Sequence, residues 1–268
     1  MIEAQDGLNW KRWQNIARVA EDAGYVGLYR SDHFTNPQGP YKDSLECWTS
    51  LTWLAAHSSR LEFGPLVSPL SFRHPSMLVR MASVVSDLSG GRLRFGVGAG
   101  WQEREHFNYG YGLGNVPERM GRFREGVEII AHLLHSDEPL TYKGKRFELH
   151  DAVLLPRPSH KVPIVIGGAG RHVTLPLVVR YADEWNCGPR SPEQFKEANT
   201  YLDRLLDKAG RPRSSVRRSM MTFVRDRKPS QVKDEVLALD AAGVQRVMLN
   251  WPNFDDMAGI AALAKALV

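Results

Sequence analysis

The sequence predicts an α/β chain folded as a single (β/α)8 TIM barrel, with a short hairpin inserted before the fifth strand. Three observations carry that expectation. Short apolar runs alternate with amphipathic helical stretches eight times, glycine-rich segments fall directly after apolar runs, and no Gly/Ser linker or shift in composition divides the 268 residues. Strict βα alternation implies a parallel sheet with helices outside it, and eight units favour closure over an open sheet. One such barrel usually takes about 250 residues, so residues 1–268 are read as one domain.

Met1 to Gln5 reads as a first strand cut short, which leaves a start upstream of Met1 open. Trp10, Trp13, Ile16, Ala17, Ala20 and Ala23 recur at helical spacing until Gly24 ends the helix. Tyr25 to Arg30 is the second strand, and Leu45, Trp48, Leu51, Leu54 and Ala55 form the next helical stripe. Leu61 to Val67 is the third strand, followed by a helix from Pro75 to Leu88 that stops at Ser89-Gly90-Gly91. Leu93 to Val97 is the fourth strand, and Gly98 to Gly114 separates it from a long helix around Pro117 to Leu134. Within Leu140 to Leu155, Tyr142, Phe147 and Leu149 alternate around Lys143-Gly144-Lys145 as the hairpin. Strands at Val162–Ile166, Glu184–Cys187, Ser219–Val224 and Arg246–Asn250 then each precede a helix: Val173–Tyr181, Pro192–Ala209, Gln231–Ala242 and Met257–Leu267.

The formal charge of +5 is small beside 35 basic and 30 acidic residues. The one basic cluster, Arg211, Arg213, Arg217 and Arg218, reads as a solvated loop, and no aromatic-interleaved stripe or nucleic-acid reading motif accompanies it. Cys47 and Cys187 form no CxxC, which favours a reducing compartment. With no signal peptide and no apolar run near the roughly 18 residues of a membrane span, a cytoplasmic protein is expected. His132 and His135 lack an HExxH context, so no metal site is expected.

In such barrels the site lies at the C-terminal strand ends, built from the βα loops. After the second strand, Asp32 and His33 read either as a cofactor-orienting, proton-moving pair or as a turn with a hydrogen-bonded histidine. Val67-Ser68-Pro69 to Pro75 reads as the floor beneath a planar ring or as a structural turn. Gly98 and Gly100 remove side chains where backbone approaches a ligand. Glu103, Glu105 and His106 are acid/base groups or part of a solvated loop. The spacing is not the GxGxxG fingerprint. Gly167-Gly168-Ala169-Gly170-Arg171, opening into a helix, reads as a phosphate seat or as a turn.

These segments resemble the bacterial luciferase-like family, especially its branch using the 5-deazaflavin coenzyme F420. The resemblance runs through Ser31-Asp32-His33-Phe34, Leu66 to Pro75, Leu88-Ser89-Gly90-Gly91-Arg92-Leu93, Gly96-Val97-Gly98-Ala99-Gly100-Trp101 and Glu118-Arg119-Met120. It continues through Arg157-Pro158, Pro163 to Gly170 and Tyr181-Ala182-Asp183-Glu184-Trp185-Asn186, in order along nearly the whole chain. It implies that Asp32 and His33 contact the tricyclic ring. Val67 and Ser68 would form a strand-end bulge under that ring, in this family often with a non-proline cis peptide. Gly98, Ala99, Trp101 and Gln102 would line the ring and ribityl chain, and Gly167, Gly168, Ala169, Gly170 and Arg171 would hold the phosphate. Residues beyond Gly188 match no substrate-specific pattern of the family.

The expected activity is hydride transfer between F420 and an organic small-molecule substrate. His33 would polarise or protonate the reacting ring, Asp32 would fix its orientation, and Glu103 is the reserve proton donor. An FMN-dependent monooxygenase fed by a separate reductase is the alternative, and a non-catalytic flavin-binding barrel is the third reading. A homodimer is what the resemblance implies.

Overall fold

The computed structural model describes residues 1–267. In chain order it runs α1 (Trp10–Asp22), β1 (Gly27–Arg30), α2 (Cys47–His57), β2 (Glu62–Pro65), β3 (Ser68–Pro69), α3 (Pro75–Leu88) and β4 (Phe95–Gly98). Next come α4 (Glu103–Asn108), α5 (Val116–His135), β5 (Leu140–Lys143), β6 (Glu148–Ala152), β7 (Ile164–Gly167), α6 (Thr174–Tyr181) and β8 (Glu184–Cys187). The chain ends with α7 (Pro192–Lys208), β9 (Arg217–Phe223), α8 (Pro229–Ala241), β10 (Arg246–Asn250) and α9 (Met257–Leu267).

Local chemistry sets the helix ends. Asn115 and Glu118 form a capping box at α5, Ser191 and Gln194 form one at α7, and a proline follows in each first turn. At the end of α3, Gly90 and Gly91 take φ of 66° and 83°, and the Gly91 N–H returns to the Ser86 carbonyl at 2.8 Å.

The sheet is mainly parallel. One run of strands is ordered β10-β9-β8-β7-β4-β3, β1 pairs with β2, and β5 pairs antiparallel with β6. Single contacts join these sheets. Phe63 bridges to Leu93, Ile2 bridges to Arg30, the Met1 amino group donates to the Leu249 carbonyl, and the Trp251 N–H donates to the Met1 carbonyl. Hydrogen-bonded neighbours thus run from Met1–Ile2 through β1, β2, β4, β7, β8, β9 and β10 back to Met1. Trp13, Trp48, Trp185, Phe63, Phe95, Phe123 and Phe195 are fully buried around this sheet.

Three expectations are corrected. The first strand is only Met1–Ile2, because the chain turns into a 3-10 segment at Ala4–Asp6. The glycine-rich stretch after β4 contains helix α4, whose helix-forming residues were masked by flanking glycines. The basic cluster is not a solvated loop. Arg211 donates to the Val178, Val179 and Ala182 carbonyls at the end of α6, Arg213 pairs with Asp207, and Arg218 is 6% exposed beside Asp203. Arg217 reaches Glu184 at 3.8 Å.

Candidate active site

The loops after β1, β3, β4 and β7 all leave the C-terminal ends of parallel strands and gather there. Val67 stands at their centre, next to the cis peptide Leu66–Val67. A Cβ built on Gly98 would lie 2.4 Å from Val67 Cγ2, and Cβ atoms on Gly96 and Gly167 would each lie 3.1 Å from Val67 Cγ1. A Cβ does not fit at 2.4 Å and is tight at 3.1 Å, so Gly98 and Gly167 let one valine side chain sit between the strand ends, while Gly96 lacks room first because the Pro65 carbonyl oxygen would lie 2.0 Å from its Cβ. For Gly98 this replaces the expected reason, since the space beside its Cα is taken by Val67. Gly100, at φ 81°, is a turn position, with Ser71 Oγ 2.8 Å from where its Cβ would be.

Asp32 and His33 do not pair with each other. Asp32 is 2% exposed and accepts from Ser68 Oγ at 2.6 Å and from Arg73 at 2.6 and 3.3 Å. Ser68 also accepts from Trp48 Nε1, and Arg73 continues to Glu46 at 2.8 Å. Asp32 is therefore the anchor of a buried brace between the β1 and β3 loops. Its expected role of orienting His33 belongs to Glu105.

Glu105, 1% exposed on α4, meets His33 Nδ1 at 2.7 Å and accepts the Phe34 N–H at 2.9 Å. A carboxylate can only accept, so Nδ1–H is the donor and Nε2 is left for other partners. The His33 pKa is raised. Burial lowers it, but the hydrogen bond and charge of Glu105 outweigh burial, with Glu3 and Asp32 adding in the same direction. The half-exposed Trp101 ring meets the His33 ring edge-on at 5.6 Å.

Gln102 donates from Nε2 to the Thr35 carbonyl at 2.7 Å, while its buried Oε1 has no partner among the described residues. His106 Nδ1–H donates to the Gln102 carbonyl, and its Nε2 accepts from Ser71 Oγ at 2.7 Å. Phe34 stacks on Phe72 at 4.3 Å and fixes the outer wall. Ala99 lies partly buried against the core. Glu103, the expected reserve donor, is exposed at the start of α4.

Residue numbers explain the split on α4. Gln102, Glu105 and His106 stand at i, i+3 and i+4, on one inward face, whereas Glu103 and Phe107 fall on the other. The sequence held the right loop, but without the helix it could not say which glutamate turns in. Arg73 lay within the Leu66 to Pro75 stretch without a role of its own and Glu46 carried no sequence signal, because their partners lie on other loops.

After β7, Gly168 takes φ 107° and its carbonyl is held by Trp185 Nε1 at 2.7 Å. None of the N–H groups of residues 169–174, including Ala169 and Gly170, donates to another described residue. They form a run of free donors at the start of α6. Arg171 does not reach back over this loop. It pairs with Glu197 of α7 at 2.6 Å and lies over the Tyr201 ring, at the edge of a cavity of about 440 Å³ that also has Lys196 and Arg204 in its wall.

Among the described residues, no group of His, Cys, Asp and Glu is placed to hold a metal ion, and no helix is long and apolar enough to cross a membrane. A mainly parallel α/β chain with glycine-flanked loops and a part-buried His–Glu pair at its strand ends defines a class of proteins whose sites are built from βα loops. Within that class, the chain belongs to the luciferase-like monooxygenase family, whose model matches residues 2–262.

The chain is 32% identical to the F420-dependent glucose-6-phosphate dehydrogenase of Microbacterium testaceum over 74% of its length and 59% of the relative's. It is 31% identical to the 4-hydroxyprotoasukamycin monooxygenase of Streptomyces nodosus subsp. asukaensis over 69% of its length and 48% of the relative's. The chain thus spans about half to three-fifths of the length of these curated relatives. In fold it is similar to an F420-dependent secondary alcohol dehydrogenase solved with an F420–acetone adduct. The TM-score is 0.85 at 18% identity, over 100% of this chain and 99% of that one.

Proposed function

We propose that the chain is a single-domain (β/α)8 barrel, with the β5–β6 hairpin as an insertion, that binds coenzyme F420 and transfers a hydride between it and a small organic substrate. The observation that carries the reading is the part-buried His33–Glu105 pair at the strand ends, where Val67 also sits among Gly98 and Gly167. The residues present fit a flavin-type ring with a phosphate-bearing chain. Val67 offers an apolar floor, Trp101 a wall, and Gln102 Oε1 an unpartnered acceptor, and the free N–H groups of residues 169–174 suit an anion. Relatives named as F420-dependent support the choice of cofactor.

The bound deazaflavin supplies the hydride chemistry. His33 contributes a proton at Nε2, because Glu105 holds Nδ1–H and favours the charged imidazole. Glu105 orients that ring, the Asp32–Arg73–Ser68 brace fixes the loops that carry it, and the Phe34 and Phe72 stack keeps water from the outer side. Gly98 and Ala99 line the ring beside Trp101, Gly167 and Gly168 shape the turn after β7, and Ala169, Gly170 and the following N–H groups hold the phosphate through backbone donors, with Arg171 at the margin. Both free cysteines are buried, which suits a cytoplasmic enzyme, and a homodimer completes the proposal.

Titration of the purified protein with F420 and with FMN tests this. F420 is expected to bind at least about tenfold tighter, a difference of about 1.4 kcal/mol. Equal or reversed affinities, joined by substrate-dependent oxygen uptake, would assign the site to an FMN monooxygenase fed by a separate reductase. Binding without any turnover would leave a non-catalytic flavin carrier.

A further inference from the structure

The side chain of Arg171 leaves the loop after β7 and enters a groove along α7. The groove is a cavity of about 440 Å³, walled by Lys196, Glu197, Thr200, Tyr201 and Arg204 of α7 together with Arg171. On α7 these residues fall at i, i+1, i+4, i+5 and i+8, which is one face of a helix, and Glu193 stands one turn earlier.

The charges on this face are not matched one to one. Glu197 is taken by Arg171 at 2.6 Å, and the Arg171 guanidinium lies 5.0 Å from the Tyr201 ring centroid. Glu193 accepts from Ser191 Oγ at 2.7 Å in the first turn of the helix. Lys196 Nζ, the Arg204 guanidinium and the Tyr201 hydroxyl have no ion pair or hydrogen bond with any described residue, although two carboxylates share their wall. Of the Arg171 guanidinium, only Nη2 is engaged with Glu197, so its other N–H groups remain available. The groove also begins where the anion seat ends. The free N–H groups of residues 169–174 include that of Arg171, so one residue reaches both places, by its backbone and by its side chain.

We propose that this groove holds a carboxylate-bearing chain that continues outward from the cofactor's phosphate, with Lys196, Arg204 and the free side of Arg171 as its partners. The inference rests on the F420 reading and deepens it, because F420 carries glutamyl carboxylates beyond its phosphate whereas FMN ends at that group. Lys196 and Arg204 stand about 12 Å apart along α7, at about 1.5 Å per residue, with Thr200 and Tyr201 between them. Cations spread over such a run match an extended chain with carboxylates at intervals. One compact anion would meet only one end of it. Glu197 keeps Arg171 turned toward α7, so the phosphate is left to the backbone donors and the arginine to the chain. All three cations are exposed, so each contact is weak and sensitive to salt.

Equilibrium titration of the whole protein, read by cofactor fluorescence, compares F420 bearing several glutamates with the same cofactor cut back to its phosphate. At low salt the glutamylated form is expected to bind about threefold to thirtyfold tighter, the range for two or three exposed ion pairs. The advantage should vanish near 1 M salt, where the screening length falls to about 3 Å. The double variant Lys196→Gln, Arg204→Gln should bind the two forms equally. Its thermal midpoint should stay at the wild-type value, since both side chains are exposed and make no contact that the fold uses. Equal binding of the two forms by the wild-type protein would overturn the proposal and leave the F420 reading standing. A glutamate advantage that survives in the double variant would overturn it too, because the chain would then lie elsewhere. If neither form binds, the F420 reading fails and this proposal fails with it.

Discussion

His33 and Glu105 are the pair on which the chemistry turns, and the pair also makes a statement about stability. The folded chain holds the His33 proton more tightly than the unfolded chain does. The pair's stabilisation is therefore complete below the ordinary histidine value of about 6.5, and it is lost as pH rises through the higher folded value. Glu105→Gln should flatten that pH dependence, and denaturant unfolding on both sides of neutrality reads it directly. In turnover, His33→Ala is expected to cost about 10²–10⁴ in rate with cofactor affinity kept within about tenfold. Glu105→Gln should slow the reaction in the same direction, while the exposed Glu103→Gln leaves it unchanged. If instead Glu103→Gln slows single-turnover reaction and His33→Ala does not, the proton comes from the outer face of α4. Asp32→Asn should act mainly on stability, since it weakens the buried brace to Arg73.

At the scale of elements, the glycines of β4 and β7 are where sequence and structure speak most differently. Their position after apolar runs located the site, because glycine in that context marks close approach of backbone. What approaches was invisible, since Val67 comes from the segment between β2 and β3 and only the assembled sheet brings it within 2.4 Å of a Gly98 Cβ. Gly98→Ala should accordingly destabilise the fold by about 1–3 kcal/mol through overpacking. Val67→Ala in the same chain should recover part of that loss, and a double-mutant cycle measures the coupling. An additive pair would mean that Gly98 is needed for something other than Val67. The repeating strand–helix order was legible for the same reason that partners were not. Periodicity and caps are written locally, as at Pro75–Leu88, Glu184–Cys187 and Arg246–Asn250, which run as the pattern predicts. Helix α4 and the engaged arginines 211 to 218 depended on tertiary partners, so a glycine-rich stretch and a charge run concealed them.

Across the whole molecule, the two ends of the strands do different work. The C-terminal ends carry the His33 site, and the N-terminal ends carry a charged network inside the sheet. Arg246 bonds Glu62 and Tyr29 and lies 3.3 Å from Glu184, Arg94 bonds Glu62, and Arg217 reaches Glu184. Glu184 is 3% exposed and one of its oxygens has no hydrogen-bond partner among the described residues, so it depends on the neighbouring cations. Burial raises the Glu62 pKa, but Arg94 and Arg246 outweigh burial and hold it below the usual carboxylate value. Its share of stability is thus present above that value and lost as pH falls through the lowered one. Arg246→Met should leave the buried Glu184 carboxylate with only the more distant Arg217 at 3.8 Å and cost up to about 3–5 kcal/mol in denaturant unfolding. Replacing Glu184 by Met in the same chain should return part of that loss, because an apolar pair removes the unpaired charge. Cofactor affinity should stay at the wild-type level in both variants, since the network lies at the opposite strand ends from His33. A fall in affinity that follows the fall in stability would show that the sheet couples its two ends, and would move Arg246 from the scaffold into the function of the site.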